Sequence, residues 1–186
     1  MMPEGQFDAL GPEAAANLVA FLQSNAPKAT PNKGGAAPIK IAGALEGEEM
    51  KVLSKTGGNA KPQAMGGFHA SRWSGDSHLW WTGGKPEDVL TLALPVAEKG
   101  AYSLKAVLTK AKDYGAVEIS LDGKSLPNAK LDLYSFPDVV TSGELDWGIH
   151  ELEAGEHKLA VKITGANPSA VKGYMFGLDY VKLEKK

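Results

Sequence analysis

Residues 39–186 are expected to fold as an all-β domain, an antiparallel β-sandwich. Three observations predict it. Apolar residues alternate with polar or small ones at a period of two in at least four segments. Turn signals separate these segments every eight to twelve residues or so, the spacing of a sandwich. No helical pattern of about 10–15 residues lies between them, which argues against a parallel βαβ sheet.

The elements follow in order. Leu90, Leu92, Leu94 and Val96 alternate with Val89, Thr91 and Ala93. Tyr102, Leu104, Ala106 and Leu108 alternate with Ser103, Lys105 and Thr109. Val117, Ile119 and Leu121 alternate with Glu118 and Ser120, and Asp122-Gly123 then supplies a hairpin turn. Leu159, Val161 and Ile163 alternate with Lys158, Lys162 and Thr164. Two segments echo each other: Val96 to Leu104 and Leu152 to Leu159 each read as a strand end, a Gly turn and a returning strand.

The N-terminal part differs. Residues 1–25 read as a turn and a helix: Pro12-Glu13 suits a first helical turn, and Leu18, Phe21 and Leu22 make an apolar stripe. Residues 26–38, rich in Pro, Gly and Ala, read as a linker. The expected division is therefore 1–25 helix, 26–38 linker and 39–186 sandwich.

Composition narrows the function. The 186 residues are 43% hydrophobic and 23% charged, with a formal net charge of -2. No Lys/Arg run tracks phosphates, so no nucleic-acid partner is expected. No apolar stretch approaches the roughly 20 residues of a membrane span. The chain has no cysteine, which excludes disulfides, thiolate chemistry and covalent haem attachment within it. Its first residues lack a basic region and an apolar signal core, so it is expected to be a piece of a larger protein if that protein is exported.

The sandwich resembles the galactose-binding-like jelly roll of many carbohydrate-binding modules. The likeness rests on Leu45-Glu46-Gly47-Glu48 at the start, the two Gly turns, and Gly177-Leu178-Asp179-Tyr180-Val181 at the end. Trp73-Ser74-Gly75-Asp76, His78-Leu79-Trp80-Trp81, Leu108 to Gly115, Leu131-Asp132-Leu133-Tyr134 and Gly173 to Tyr180 strengthen it. It is similar above all to a form fused to glycoside hydrolases and large exported proteins. The resemblance implies a non-catalytic module in a periplasmic or extracellular parent, with a polysaccharide or oligosaccharide and other domains of the parent as partners. Met2-Pro3-Glu4-Gly5, Pro12-Glu13 and Leu18 to Leu22 resemble the closing segment of a small c-type cytochrome. A plain N-terminal helix is the alternative, and in either case the fragment holds no haem.

Candidate site residues fall into two groups. Sugars stack on aromatic rings and need a few polar partners. Arg72, Trp73, Trp80, Trp81, Asp113 and Tyr114 are the candidates for carbohydrate binding, with Tyr134 and Trp147 as further aromatics. Trp80 and Trp81 are adjacent in a strand and must face opposite ways, one into the core and one outward. For metal binding the candidates are Glu46 and Glu48, two apart on one strand, and Asp179, which shares a face with Val181 and Leu183. A buried carboxylate needs a partner or a metal, and calcium accepts such oxygens. The related modules often hold a structural calcium at the matching positions. Otherwise Glu46 and Glu48 face solvent and Asp179 accepts backbone N–H groups.

Catalysis has little support. His69, His78, His150 and His157 make no metal-spaced pair, and no Ser sits in a Gly-x-Ser-x-Gly elbow. Glu48-Glu49 and Glu87-Asp88 lie beside turns, where charge serves solubility. The alternative to a sugar-binding module is a structural or docking domain of a cytochrome-fused redox protein that binds no sugar.

Overall fold

The structure is a computed structural model that describes residues 39–68 and 72–186. The helix expected over 1–25, the linker over 26–38 and His69 lie outside the described residues. Among the described residues, eleven strands and two short 3-10 turns follow in order. The strands are β1 Ala44–Glu46, β2 Val52–Lys55, β3 Asn59–Ala64, β4 Ser77–Thr82, β5 Val89–Val96 and β6 Gly100–Lys110. They continue as β7 Ala116–Leu121, β8 Lys124–Asp132, β9 Val140–Leu152, β10 Gly155–Gly165 and β11 Phe176–Lys185.

The strands form two antiparallel sheets. One runs β3-β4-β11-β6-β9, with β1 also paired to β11. The other runs β2-β5-β10-β7-β8. Together they make the expected sandwich of jelly-roll type. The predicted alternations supply its core: Leu90, Leu92 and Leu94 from β5 and Val161 and Ile163 from β10 are all buried. Leu104, Ala106 and Leu108 of β6 and Trp81 of β4 face them from the other sheet in the same cluster.

Turn chemistry fixes the corners. Asp122 and Gly123 both take positive φ, 50° and 79°. That left-handed pair matches the twist of a two-residue hairpin between β7 and β8. The two echoing Gly turns are not hairpins within one sheet. They carry the chain from β5 to β6 and from β9 to β10, so each crosses between the sheets. The crossings lie side by side, since Gly155 pairs with Val96 and Gly100 with Leu152.

β11 organises the first sheet. Its start pairs with β4, Phe176 with Trp81 through Leu178 with Leu79. Its later part pairs with β1 along the same edge, Tyr180 with Glu46 through Lys182 with Ala44. Asp179 falls between the two partners. Across the other edge the register with β6 shifts between Leu178 and Tyr180, so Asp179 is the extra residue of a β-bulge. Bulges re-aim a side chain and free its backbone from the ladder.

The described parts of the connection from β3 to β4, residues 65–68 and 72–76, pack on the outer face of the first sheet. Leu79 and Trp81 belong to the core, so His78 and Trp80 point to the opposite face. His78 is nevertheless fully buried, as are Trp73 and Thr109.

Candidate functional site

A pocket of about 510 Å³ opens on this covered outer face. Half-buried Trp80 lines it with Phe68 and Phe136. Those two phenyl rings are 49% and 68% exposed, an unusual outlay of aromatic surface to water. Polar groups converge on the same space from separate elements: Gln63 of β3, Lys112 and Asp113 of the β6–β7 loop, and Asp138 of the β8–β9 loop. The volume and the mix of rings with a few polar groups suit a small organic ligand.

The loops around the pocket are tied to one another by backbone bonds. Gly115 N–H donates to Met175 O at 2.8 Å, and Met175 N–H to Asp113 O at 3.2 Å. Ala111 N–H donates to Leu133 O at 3.0 Å, and Ser135 N–H to Ala111 O at 3.2 Å. Bonding of this kind holds loops in place before any ligand arrives.

The six expected sugar contacts separate into two groups. Trp80, Asp113 and Tyr114 meet at the pocket. Tyr114 is its floor, only 4% exposed, and burial pushes the phenol well above its ordinary range. Lys61 lies across the strand pair from Trp80, its Nζ 5.5 Å from the ring centre, so part of that ring carries a cation.

Trp73 and Trp81 take another course, and the expectation for both rings is corrected. Trp81 is fully buried and donates its indole N–H to Gly57 O at 3.0 Å. Trp73 is 1% exposed and donates to Thr109 Oγ1 at 2.9 Å. Each ring has packing and a hydrogen-bond partner inside the protein, and neither offers a face to a sugar. Trp147 is likewise enclosed. Arg72 is exposed and donates from Nη1 to Val139 O at 3.3 Å, joining the β3–β4 connection to the β8–β9 loop. It lies beside a second, shallower hollow with Ile39 and Ile41.

The acidic candidates do meet, by a route the sequence did not indicate. β1 ends at Glu46, and Gly47–Glu49 form a 3-10 turn, so Glu46 and Glu48 are not on one strand face. The chain turns where Gly47 presses on β11: a Cβ there would stand 2.1 Å from Leu178 O. Glu46 and Asp179 are 3% and 1% exposed. Ser74 joins them, its Oγ donating to Glu46 Oε1 at 2.7 Å and its N–H to Asp179 Oδ1 at 3.0 Å.

Three like charges in one buried region strain each other. Burial first, and then the charges of Glu46 and Glu48, push the Asp179 carboxyl up to about 7. Burial also raises Glu48. Glu46 Oε2 and Glu48 Oε2 are buried with no hydrogen-bond partner. Such orphaned oxygens are costly, and hard-oxygen donors of this kind suit calcium. Among the described residues, however, no three acidic or histidine side chains form a group that holds an ion by themselves. An ion there would need backbone carbonyls or water as further ligands.

The described histidines are engaged elsewhere. His78 bonds Thr109 and Gln63, His150 bonds Trp147 O, and His157 bonds Asp122 and Glu153 O. Gln63, Phe68 and Phe136 were missed as pocket residues. They come from segments far apart in the chain with no motif of their own.

No protein-family model matches the chain, and no curated protein does. Solved structures are similar. A xanthan lyase from Paenibacillus is 22% identical, with 82% of this chain covered and a TM-score of 0.65. The chain spans 14% of that lyase's length. A CBM35 from Paenibacillus barcinonensis is 14% identical over 77% of this chain and 98% of its own, with a TM-score of 0.46. A GH26-CBM35 β-(1,4)-mannanase from Podospora anserina is 16% identical over 77% of this chain and 27% of its own, with a TM-score of 0.46. The likeness to the xanthan lyase shows that this chain shares its β-sandwich fold with part of that protein.

Proposed function

We propose that residues 39–186 are a non-catalytic carbohydrate-binding module of a larger, exported multidomain protein. The observation that carries the reading is the pocket on the outer face of the first sheet. It sets Trp80, Phe68 and Phe136 around a few convergent polar groups. Aromatic rings take the C–H faces of a sugar, while Gln63, Lys112 and Asp113 are within the same pocket for its hydroxyls. The fold shared with part of a xanthan lyase supports a polysaccharide as the partner. A periplasmic or extracellular parent follows from such a partner.

The reading includes a structural calcium ion. Glu46 and Glu48 would hold it through their unpartnered oxygens, with the Asp179 charge beside them. The ion would neutralise the acidic cluster and tie β1 to β11 at the bulge.

The test is affinity electrophoresis in native gels cast with acidic and neutral polysaccharides, xanthan and β-1,4-mannan among them. Retardation in at least one gel supports the module. Free migration in all of them would favour a docking domain that binds no sugar.

A further inference from the structure

A chain of polar groups runs beneath the pocket. The Trp73 indole N–H donates to Thr109 Oγ1 at 2.9 Å. Thr109 Oγ1 lies 2.7 Å from His78 Nδ1, and His78 Nε2 lies 2.8 Å from Gln63 Oε1. Trp73, Thr109 and His78 are 1%, 0% and 0% exposed. Gly177 makes room for the imidazole, since a Cβ there would meet the ring at 2.7 Å.

The chemistry of the first member sets the direction of the whole chain. An indole N–H only donates. Thr109 therefore receives that proton and is free to give its own to His78 Nδ1. A ring that accepts at Nδ1 carries its proton on Nε2 and donates to Gln63 Oε1. The reverse order would send two N–H groups to Thr109 and leave the hydroxyl proton in need of another partner. Burial favours the neutral ring this order requires, holding His78 down at about 4. At the end of the chain, the Gln63 amide nitrogen has no partner among the described residues, and Gln63 lines the pocket beside Trp80.

We propose that Trp73, Thr109 and His78 act as positioning residues that lock the Gln63 amide with its NH₂ group toward the pocket. Gln63 then reads an acceptor oxygen on the saccharide held against Trp80. The inference rests on the carbohydrate reading of the pocket and adds its specificity. A ligand that offers only a donor at that point meets a donor and is rejected.

The test joins a spectroscopic readout to a binding one, on the full chain. Nitrogen-15 NMR of His78 is expected to show the neutral tautomer protonated at Nε2. Gln63→Glu still accepts from His78 but removes the donor. It is expected to melt near the wild type and to lose retardation in whichever polysaccharide gel retards the wild type, a fall of about ten- to hundredfold in affinity. Thr109→Val, buried and outside the pocket, is expected to mix the two tautomers and weaken binding, and Thr109→Ser to restore both. A His78 ring protonated at Nδ1 would overturn the proposal, as would Gln63→Glu binding like the wild type. If the wild type is retarded in no gel, the carbohydrate reading falls and the proposal falls with it. If the wild type binds and Gln63→Glu binds equally, the proposal falls alone.

Discussion

Asp179 is expected to make the ion-free protein less stable as pH rises through neutrality. Its carboxyl stands at about 7 in the folded protein against 3.8 as a free side chain. A carboxyl raised on folding favours the protonated state. Its benefit is therefore full below pH 3.8 relative to the ionised state and is lost as pH climbs through about 7. The gap between the two values is worth about 4 kcal/mol at most. For a domain of this size that is a fall in melting temperature on the order of 10 °C. Thermal melts in a chelator between pH 5 and 9 read it directly. Asp179→Asn keeps an oxygen for the Ser74 N–H and cannot ionise. In chelator above pH 8 it should melt higher than the wild type, and the difference should shrink steadily as pH falls and vanish only below about 3.8. Groups distant from Asp179 titrate alike in both proteins and cancel, so the difference reports the coupled cluster of Asp179 with Glu46 and Glu48. With calcium the order should invert, because the ion favours the charged cluster. A pH-independent difference, or an Asp179→Asn protein less stable in chelator at every pH, would refute the reasoning.

Other expectations follow from the same geometry. Trp80→Ala should abolish polysaccharide retardation at a smaller cost in stability than Trp81→Ala, which empties a fully buried site and should cost about 3–5 kcal/mol in denaturant unfolding. His157 faces two acceptors, Asp122 Oδ2 at 2.6 Å and Glu153 O at 2.8 Å, both of which only the protonated ring can satisfy, and the hydrogen bond to Asp122 raises its pKa. That contribution is full below the ordinary value of 6.5 and is lost as pH rises through the raised one. His157→Gln should remove this part of the pH dependence of the melt, while leaving the part due to Asp179.

Much of the sandwich is legible because burial writes itself into alternation. β5, β6, β7 and β10 each place one or both faces against the core, and Asp122-Gly123 has few uses other than a tight turn. β9 is legible in neither way. It is an edge strand whose 13 residues bury only Trp147 and Leu152, and its Glu144 and Asp146 face outward as edge charges. The opposed directions of Trp80 and Trp81 follow from a strand period of two, and so does the inward turn of a carboxylate near Val181. The burial of Trp73 does not, since its partner Thr109 is 36 residues away. The shared strand face expected for Glu46 and Glu48 is not formed. Gly47 lies against the Leu178 carbonyl and ends the strand, a close approach that only the packed sheets reveal. The pocket was illegible for the same reason: Gln63, Phe68 and Phe136 become neighbours through topology.

The four tryptophans allow the most direct measurement of the central claim. Their indole N–H signals can be followed by NMR while soluble fragments of a retarding polysaccharide are titrated in. Trp80 lines the pocket, whereas Trp81 and Trp147 are enclosed in the core. The Trp80 indole and the Gln63 amide are expected to shift most and to saturate together, with Trp81 and Trp147 almost still. Saturable shifts that leave Trp80 and Gln63 unmoved would contradict the claim that this pocket binds the sugar.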